Sequence, residues 1–188
     1  AQSYLESFGK DMDVAIDAAI AATKISNPLD PFGVTSRRDV AGVAKVFEDG
    51  FASAGKKIQT LVMDEKFYGS SRDVDVENTL LCVLKRIQST ESRVFLIIEA
   101  TAVSFMVDVS SVRFNTISFA GTDLNKIPGS FLTGIQLGRE FSLRHTQNRI
   151  FVVSIPKDSW TTEPVISLDI DFARRKLPLT GRVKVKID

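Results

Sequence analysis

The sequence predicts an α+β protein in which a long N-terminal amphipathic helix is packed on, or wrapped by, a large, curved, mostly antiparallel β-sheet. Three observations predict it. Ser3 to Ile25 carries an apolar stripe at helical spacing, two prolines at 28 and 31 follow at once, and from Arg93 onward short apolar runs alternate with turn residues. The whole chain, 1–188, reads as one domain with the helix over 1–26 and mainly strands over 58–187.

The helix comes first. Leu5, Phe8, Met12, Ile16, Ala19, Ile20 and Thr23 recur at steps of three and four, which sets them on one face. Glu6, Lys10, Asp13, Asp17 and Lys24 fall on the other face. Neither Pro28 nor Pro31 can donate to a helix ladder, so the helix stops there. A second, short helix is expected over Asp39–Phe47, where Val40, Val43, Ala44 and Phe47 share a face. Gly50 and Gly55 are expected to break it.

Strands follow. Ile58–Met63 and Lys66–Val76 flank the turn Tyr68-Gly69-Ser70-Ser71. Thr79–Ile87 fits strand or helix. Val94–Ala100 is a nearly continuous apolar run, while Val103, Phe105, Val107 and Val109 alternate with polar neighbours and Met106. Val112–Phe119, Phe141–Thr146, Arg149–Ile155, Val165–Phe172 and Arg182–Ile187 complete the strands. The clearest alternation sets Ile166, Leu168, Ile170 and Phe172 against Val165, Ser167, Asp169 and Asp171. Between strands, Asp123–Leu137 is interrupted by Pro128 and Gly129, which leaves room for one short helical connection.

Composition narrows the function classes. Lys plus Arg total 24 against 23 Asp plus Glu, so the net charge of +1 argues against nucleic acid as a partner. Thirteen Phe stand against one Trp and two Tyr, a balance suited to cores and apolar cavities. The single cysteine, Cys82, excludes an internal disulfide and sits in the apolar run Leu80–Leu84 as a buried small hydrophobe. No apolar stretch reaches the roughly 18 residues of a membrane-spanning helix. One His and one Cys make no zinc site, so no metal and no cofactor are expected. A Cys82–His145 nucleophile pair has no flanking signature, and Asp169 with Asp171 reads as the solvent side of a strand. The chain is therefore expected not to be an enzyme.

The N-terminal stretch resembles the group 7 mite allergens, within the wider superfamily of tubular lipid-binding proteins. That superfamily includes the bactericidal/permeability-increasing, takeout and juvenile-hormone-binding proteins. The resemblance rests on Ala15-Ile16-Asp17-Ala18-Ala19-Ile20-Ala21-Ala22, Ser26 and the exit Leu29-Asp30-Pro31-Phe32-Gly33-Val34, within residues 4–34. More loosely it extends to the strand–turn–strand layout within 58–76. The chain departs from the family pattern at its end, where the strand-like Arg182–Ile187 stands in place of a long C-terminal helix. The resemblance implies a secreted lipid carrier; a cytoplasmic location is the alternative.

Together these readings give the expected function: non-enzymatic binding of an apolar or amphipathic, lipid-like small molecule in a groove between helix and sheet. Met12 and Ile16 would form one wall, and Phe105, Val107, Phe114, Leu168, Ile170 and Phe172 the lining. Each ligand methylene buried would contribute about 0.8 kcal/mol. The alternative is a β-rich structural or protein-interaction subunit that uses an apolar surface. A second feature is the basic tail. Arg174, Arg175, Lys176, Arg182, Lys184 and Lys186 occur without an acidic residue between Asp171 and Asp188. Arg182, Lys184 and Lys186 would project from one strand face toward an anionic lipid or polysaccharide.

Overall fold

Apolar residues on both faces of a strand require a cover on both sides, and this requirement organises the molecule. The structure, a computed structural model, describes residues 12–23, 32–34, 39–69, 78–104 and 108–187. Helices α1 (Met12–Thr23) and α2 (Val40–Ser53) precede eleven strands. These are β1 (Gln59–Lys66), β2 (Tyr68–Gly69), β3 (Asn78–Ser89), β4 (Arg93–Ser104), β5 (Val109–Phe119) and β6 (Thr122–Asp123). After them come β7 (Phe131–Thr133), β8 (Phe141–Arg144), β9 (Asn148–Pro156), β10 (Val165–Phe172) and β11 (Arg175–Arg182).

Among the described residues the strands form two sheets, and every pairing is antiparallel. Sheet I has the order β1-β3-β4-β9-β7; sheet II has β2-β11-β10-β5-β6, with β8 also on β5. Their inner faces pack on each other. Leu80, Cys82, Leu84, Val94, Leu96, Ile98, Phe151 and Val153 from sheet I meet Val112, Phe114, Ile117, Ile166, Leu168, Ile170 and Phe172 from sheet II. The alternate residues of sheet I point the other way. Phe95, Ile97, Ile150 and Val152 pack under Met12, Ala15, Ile16 and Ala19 of α1 and Val43, Phe47 and Phe51 of α2. The order of layers is helices, sheet I, sheet II. Two covered faces explain why Val94–Ala100 is a run rather than an alternation.

The expected long helix packed on or wrapped by one large curved sheet is not what forms. Helix α1 spans Met12–Thr23, 12 residues, and it lies on the outside of sheet I instead of inside a single sheet. Residues 1–11 and 24–26 of the expected helix lie outside the described residues. The physical reason is the width of the apolar stripe. Met12, Ala15, Ile16 and Ala19 are buried, but Val14, Asp17 and Ala18 are exposed. An enveloped helix must be apolar all round; this one needs water along one side.

Other elements depart from expectation in smaller ways. Helix α2 begins at the Asp39 cap, whose carboxylate accepts from the Ala41 N–H at 3.0 Å. It runs through Gly50, which is buried, and ends only at Ala54 and Gly55 (φ +72°). The burial of Phe47 and Phe51 on one face outweighs the cost of one helical glycine, about 1 kcal/mol. The connection near 123–137 is a single 3-10 turn, Leu124–Lys126, followed by β7. Thr79–Ile87 is strand, because its alternate residues Leu80, Cys82 and Leu84 face the inter-sheet core. The chain between β1 and β2 does not turn back as a hairpin. It passes from sheet I to sheet II at Phe67, whose N–H donates to the Cys82 carbonyl and whose ring fills the space over Gly181.

Phenylalanines join the helical layer to sheet I. Phe32 meets Phe47 at 5.5 Å and Phe131 edge-on at 5.3 Å; Phe47 and Phe51 lie 4.8 and 5.8 Å from Phe95. Such pairs add about 0.5–1.5 kcal/mol each beyond area burial. Phe32 and Val34 of the helix-exit motif are thus core anchors. Polar ties supplement them. The buried Gln88 amide donates to the Ala44 carbonyl, and Arg93 donates to Ser154 and Asp17.

This packing sets two expectations. Ile16→Asp buries an unpaired charge and lowers stability by about 3 kcal/mol or more, whereas Val14→Asp, at a position 61% exposed, changes it by less than about 0.5 kcal/mol. Equal melting temperatures would refute the docking of α1. Gly134 has φ +100°, and a Cβ there would lie 2.5 Å from the Ile150 carbonyl oxygen. Gly134→Ala therefore costs more than about 2 kcal/mol, while Gly121→Ala, at φ +84° in open space, costs about 1. Urea titration of the two variants checks the order.

Candidate functional site

The residues expected to line one apolar groove fall into two separate cores. Met12 and Ile16 belong to the core between helices and sheet I. Phe114, Leu168, Ile170 and Phe172 belong to the core between the sheets. Sheet I stands between the two sets. Phe105 and Val107 lie outside the described residues. The six described side chains are at most 3% exposed, covered by the protein's own side chains.

Groups with chemical potential are placed for structure. Cys82 is fully buried between the sheets, and desolvation pushes its thiol far above the ordinary range. His145 is half-buried beyond β8, its backbone N–H donating to the Asp108 carbonyl. Asp169 and Asp171 share the outer face of sheet II, as expected for the solvent side of β10. Asp171 accepts from Arg113, its cross-strand neighbour, and this bond, with another from Asn115, holds its carboxyl below the usual range. The stability it contributes is present above the ordinary carboxylate pKa and fades as pH falls through the lowered value. Arg93 is 7% exposed at its side chain. Desolvation lowers its pKa while Asp17, at 3.5 Å, opposes that shift. Its contacts tie α1 to sheet I. Among the described residues no cluster of three or more His, Cys, Asp or Glu is placed to hold a metal.

The surface offers more than the cores. β1 is the edge of sheet I and is eight residues long, whereas the end strands β6 and β7 are two and three. Large exposed apolar side chains gather near it: Leu61 (38%) and Val62 (74%) on β1, Tyr68 on β2 and Leu81 on β3. The second surface feature is the C-terminal tail. The expected strand Arg182–Ile187 does not form: β11 is Arg175–Arg182 and residues 183–187 are not strand, yet their burial alternates. Val183 is buried and Val185 and Ile187 are half-buried, while Arg182, Lys184 and Lys186 are exposed. The three expected cations therefore do share the outward side.

Two grooves flank this tail. One, about 440 Å³, is lined by Trp160, Thr161, Thr162, Glu163 and residues 184–187. The other, about 390 Å³, is lined by Glu65, Lys66, Tyr68, Val165, Thr180, Gly181, Arg182 and Lys184. Trp160, Lys66 and Tyr68 were not candidates from the sequence. The one available signal was that Trp160 is the only tryptophan. A third groove, about 340 Å³, lies between Asp13 and Glu91 and holds the Lys56–Asp13 ion pair.

Compared with known proteins, the chain matches no protein-family model and no curated protein.

The burial of Cys82 gives a direct test. In the native protein a thiol reagent at pH 8 should label it only at the rate of unfolding, and in denaturant at the rate of a free thiol. Rapid native labelling would overturn its placement between the sheets.

Proposed function

We propose that this chain is a non-enzymatic, β-rich protein-interaction subunit whose contact surface is the β1 edge of sheet I. The observation that carries the reading is Val62, 74% exposed beside Leu61 on the one long edge strand among the described residues. Exposed edges with apolar side chains favour pairing, and proteins without a use for such an edge shorten or charge it. Here β6 and β7, at two other sheet ends, are two- and three-residue strands, while β1 keeps its length. Its straight part is Gln59–Val62; a bulge follows between Val62 and Glu65. The fitting partner is an extended segment of another protein, which would add a strand to sheet I and meet Val62 with an apolar side chain.

The lipid-carrier reading finds less support in this geometry. Its six described lining residues lie in two separate cores, and the two grooves beside the tail mix charged and apolar walls.

A photo-crosslinking residue at position 62, compared with one at the exposed Thr116 on the outer face of sheet II, tests the proposal in cells that make the protein. Protein adducts at 62 and none at 116 are expected. Equal labelling at both sites, or none at 62, would overturn the interaction reading. Lipid adducts at 62 would return the argument to an apolar small-molecule ligand.

A further inference from the structure

The tail behind β11 alternates buried or half-buried apolar residues with exposed cations. Val183 is 1% exposed, and Val185 and Ile187 pack on the inter-sheet core, so one side of the segment is held down. Arg182, Lys184 and Lys186, the exposed members of the alternation, are thereby left on the other side. The two grooves beside the tail share Lys184. A ligand crossing the tail at Lys184 would follow a path from Lys66, Tyr68 and Arg182 in one groove to Lys186 and Trp160 in the other. Four cations line this path against two carboxylates, Glu65 and Glu163. Among the described residues none of the four cations forms a side-chain hydrogen bond or an ion pair.

We propose that this path binds a linear acidic polysaccharide. The cations match a repeating anion along a chain. Thr161, Thr162 and Thr180 supply hydroxyls that donate to and accept from sugar hydroxyls. Trp160 is half-buried, its ring 5.3 Å from that of Phe119, which fixes an aromatic face at one end of the path. Such a face suits the C–H side of a sugar ring, since an aromatic body beside a polar tip binds partly apolar, partly wet ligands. Three of the four cations are lysines, point charges that tolerate varied anion geometry.

Two other polyanions fit less well. A membrane needs an exposed apolar set to insert beside the cations, whereas the tail's apolar residues face inward. Nucleic-acid domains carry a strongly basic balance; this chain has a net charge of +1 and a pI of 8.1.

Because Trp160 is the only tryptophan, its fluorescence reads the site directly. Titration with a heparin octasaccharide should give a saturable change that neutral dextran does not. Binding should weaken about tenfold or more between about 0.05 and 0.5 M salt, as exposed charges are screened. Lys184→Glu with Lys186→Glu should weaken it about tenfold at an unchanged melting temperature, since both side chains are exposed. Lys126→Glu with Arg139→Glu makes the same charge change at exposed positions elsewhere and should leave affinity within about twofold. Absence of a fluorescence change overturns the proposal. So does equal loss in both double variants, or tighter binding to a twelve-residue oligothymidylate or to phosphatidylserine vesicles. These outcomes are independent of whether position 62 contacts a protein.

Discussion

The rest of the structure depends on sheet I being buried on both faces. β4 and β9 place alternate side chains in two different cores, Leu96 and Val153 toward sheet II and Ile97 and Val152 toward the helices. Neither core forms without the sheet between them, and the sheet cannot stay in water without both covers. Everything else is arranged around that demand. The helices need only one apolar side, sheet II needs only one, and each turns a polar face outward.

This arrangement decides where function can be. Side chains such as Phe114 and Ile170 are fully committed to packing, and the same holds for Cys82, the one thiol. Among the described residues, two surfaces that remain available are the backbone of the β1 sheet edge and the side chains on a tail pinned from beneath. The two features differ in chemistry: β1 offers strand hydrogen bonds and aliphatic surface, the tail offers charge and an aromatic ring. They lie on one side of the molecule, because the chain passes from β1 to β2 at Phe67 and β2 pairs with β11. A partner segment and an acidic polymer would therefore approach neighbouring surfaces.

Local periodicity was legible wherever one face of an element met water. The alternation of Ile166, Leu168, Ile170 and Phe172 is β10 as expected, and Arg182, Lys184 and Lys186 share one side as expected. The apolar stripe of α1 was legible at Met12 and Ile16, whose burial follows from spacing alone. Less legible was the extent of α2 through Gly50, because the gain from Phe51 depends on Phe95, more than forty residues away in sequence. The grooves were not legible at all: Lys66, Trp160 and Lys184 are brought together only by strand order.

By itself the sequence determined the apolar faces of α1, α2 and β10, the mainly antiparallel strand content and the cationic side of the tail. These depend on chemistry within a few residues, where steps of two or of three to four decide which side chains share a face. Only the tertiary structure decided that the strands divide into two sheets and that the helix lies outside rather than within. An apolar face specifies that it must be covered and leaves open by what. A lining residue of a lipid groove and a core residue of a sandwich carry the same local pattern. Which of them Phe114 or Leu168 becomes depends on long-range pairing, set here by two-sided burial of β4 and β9.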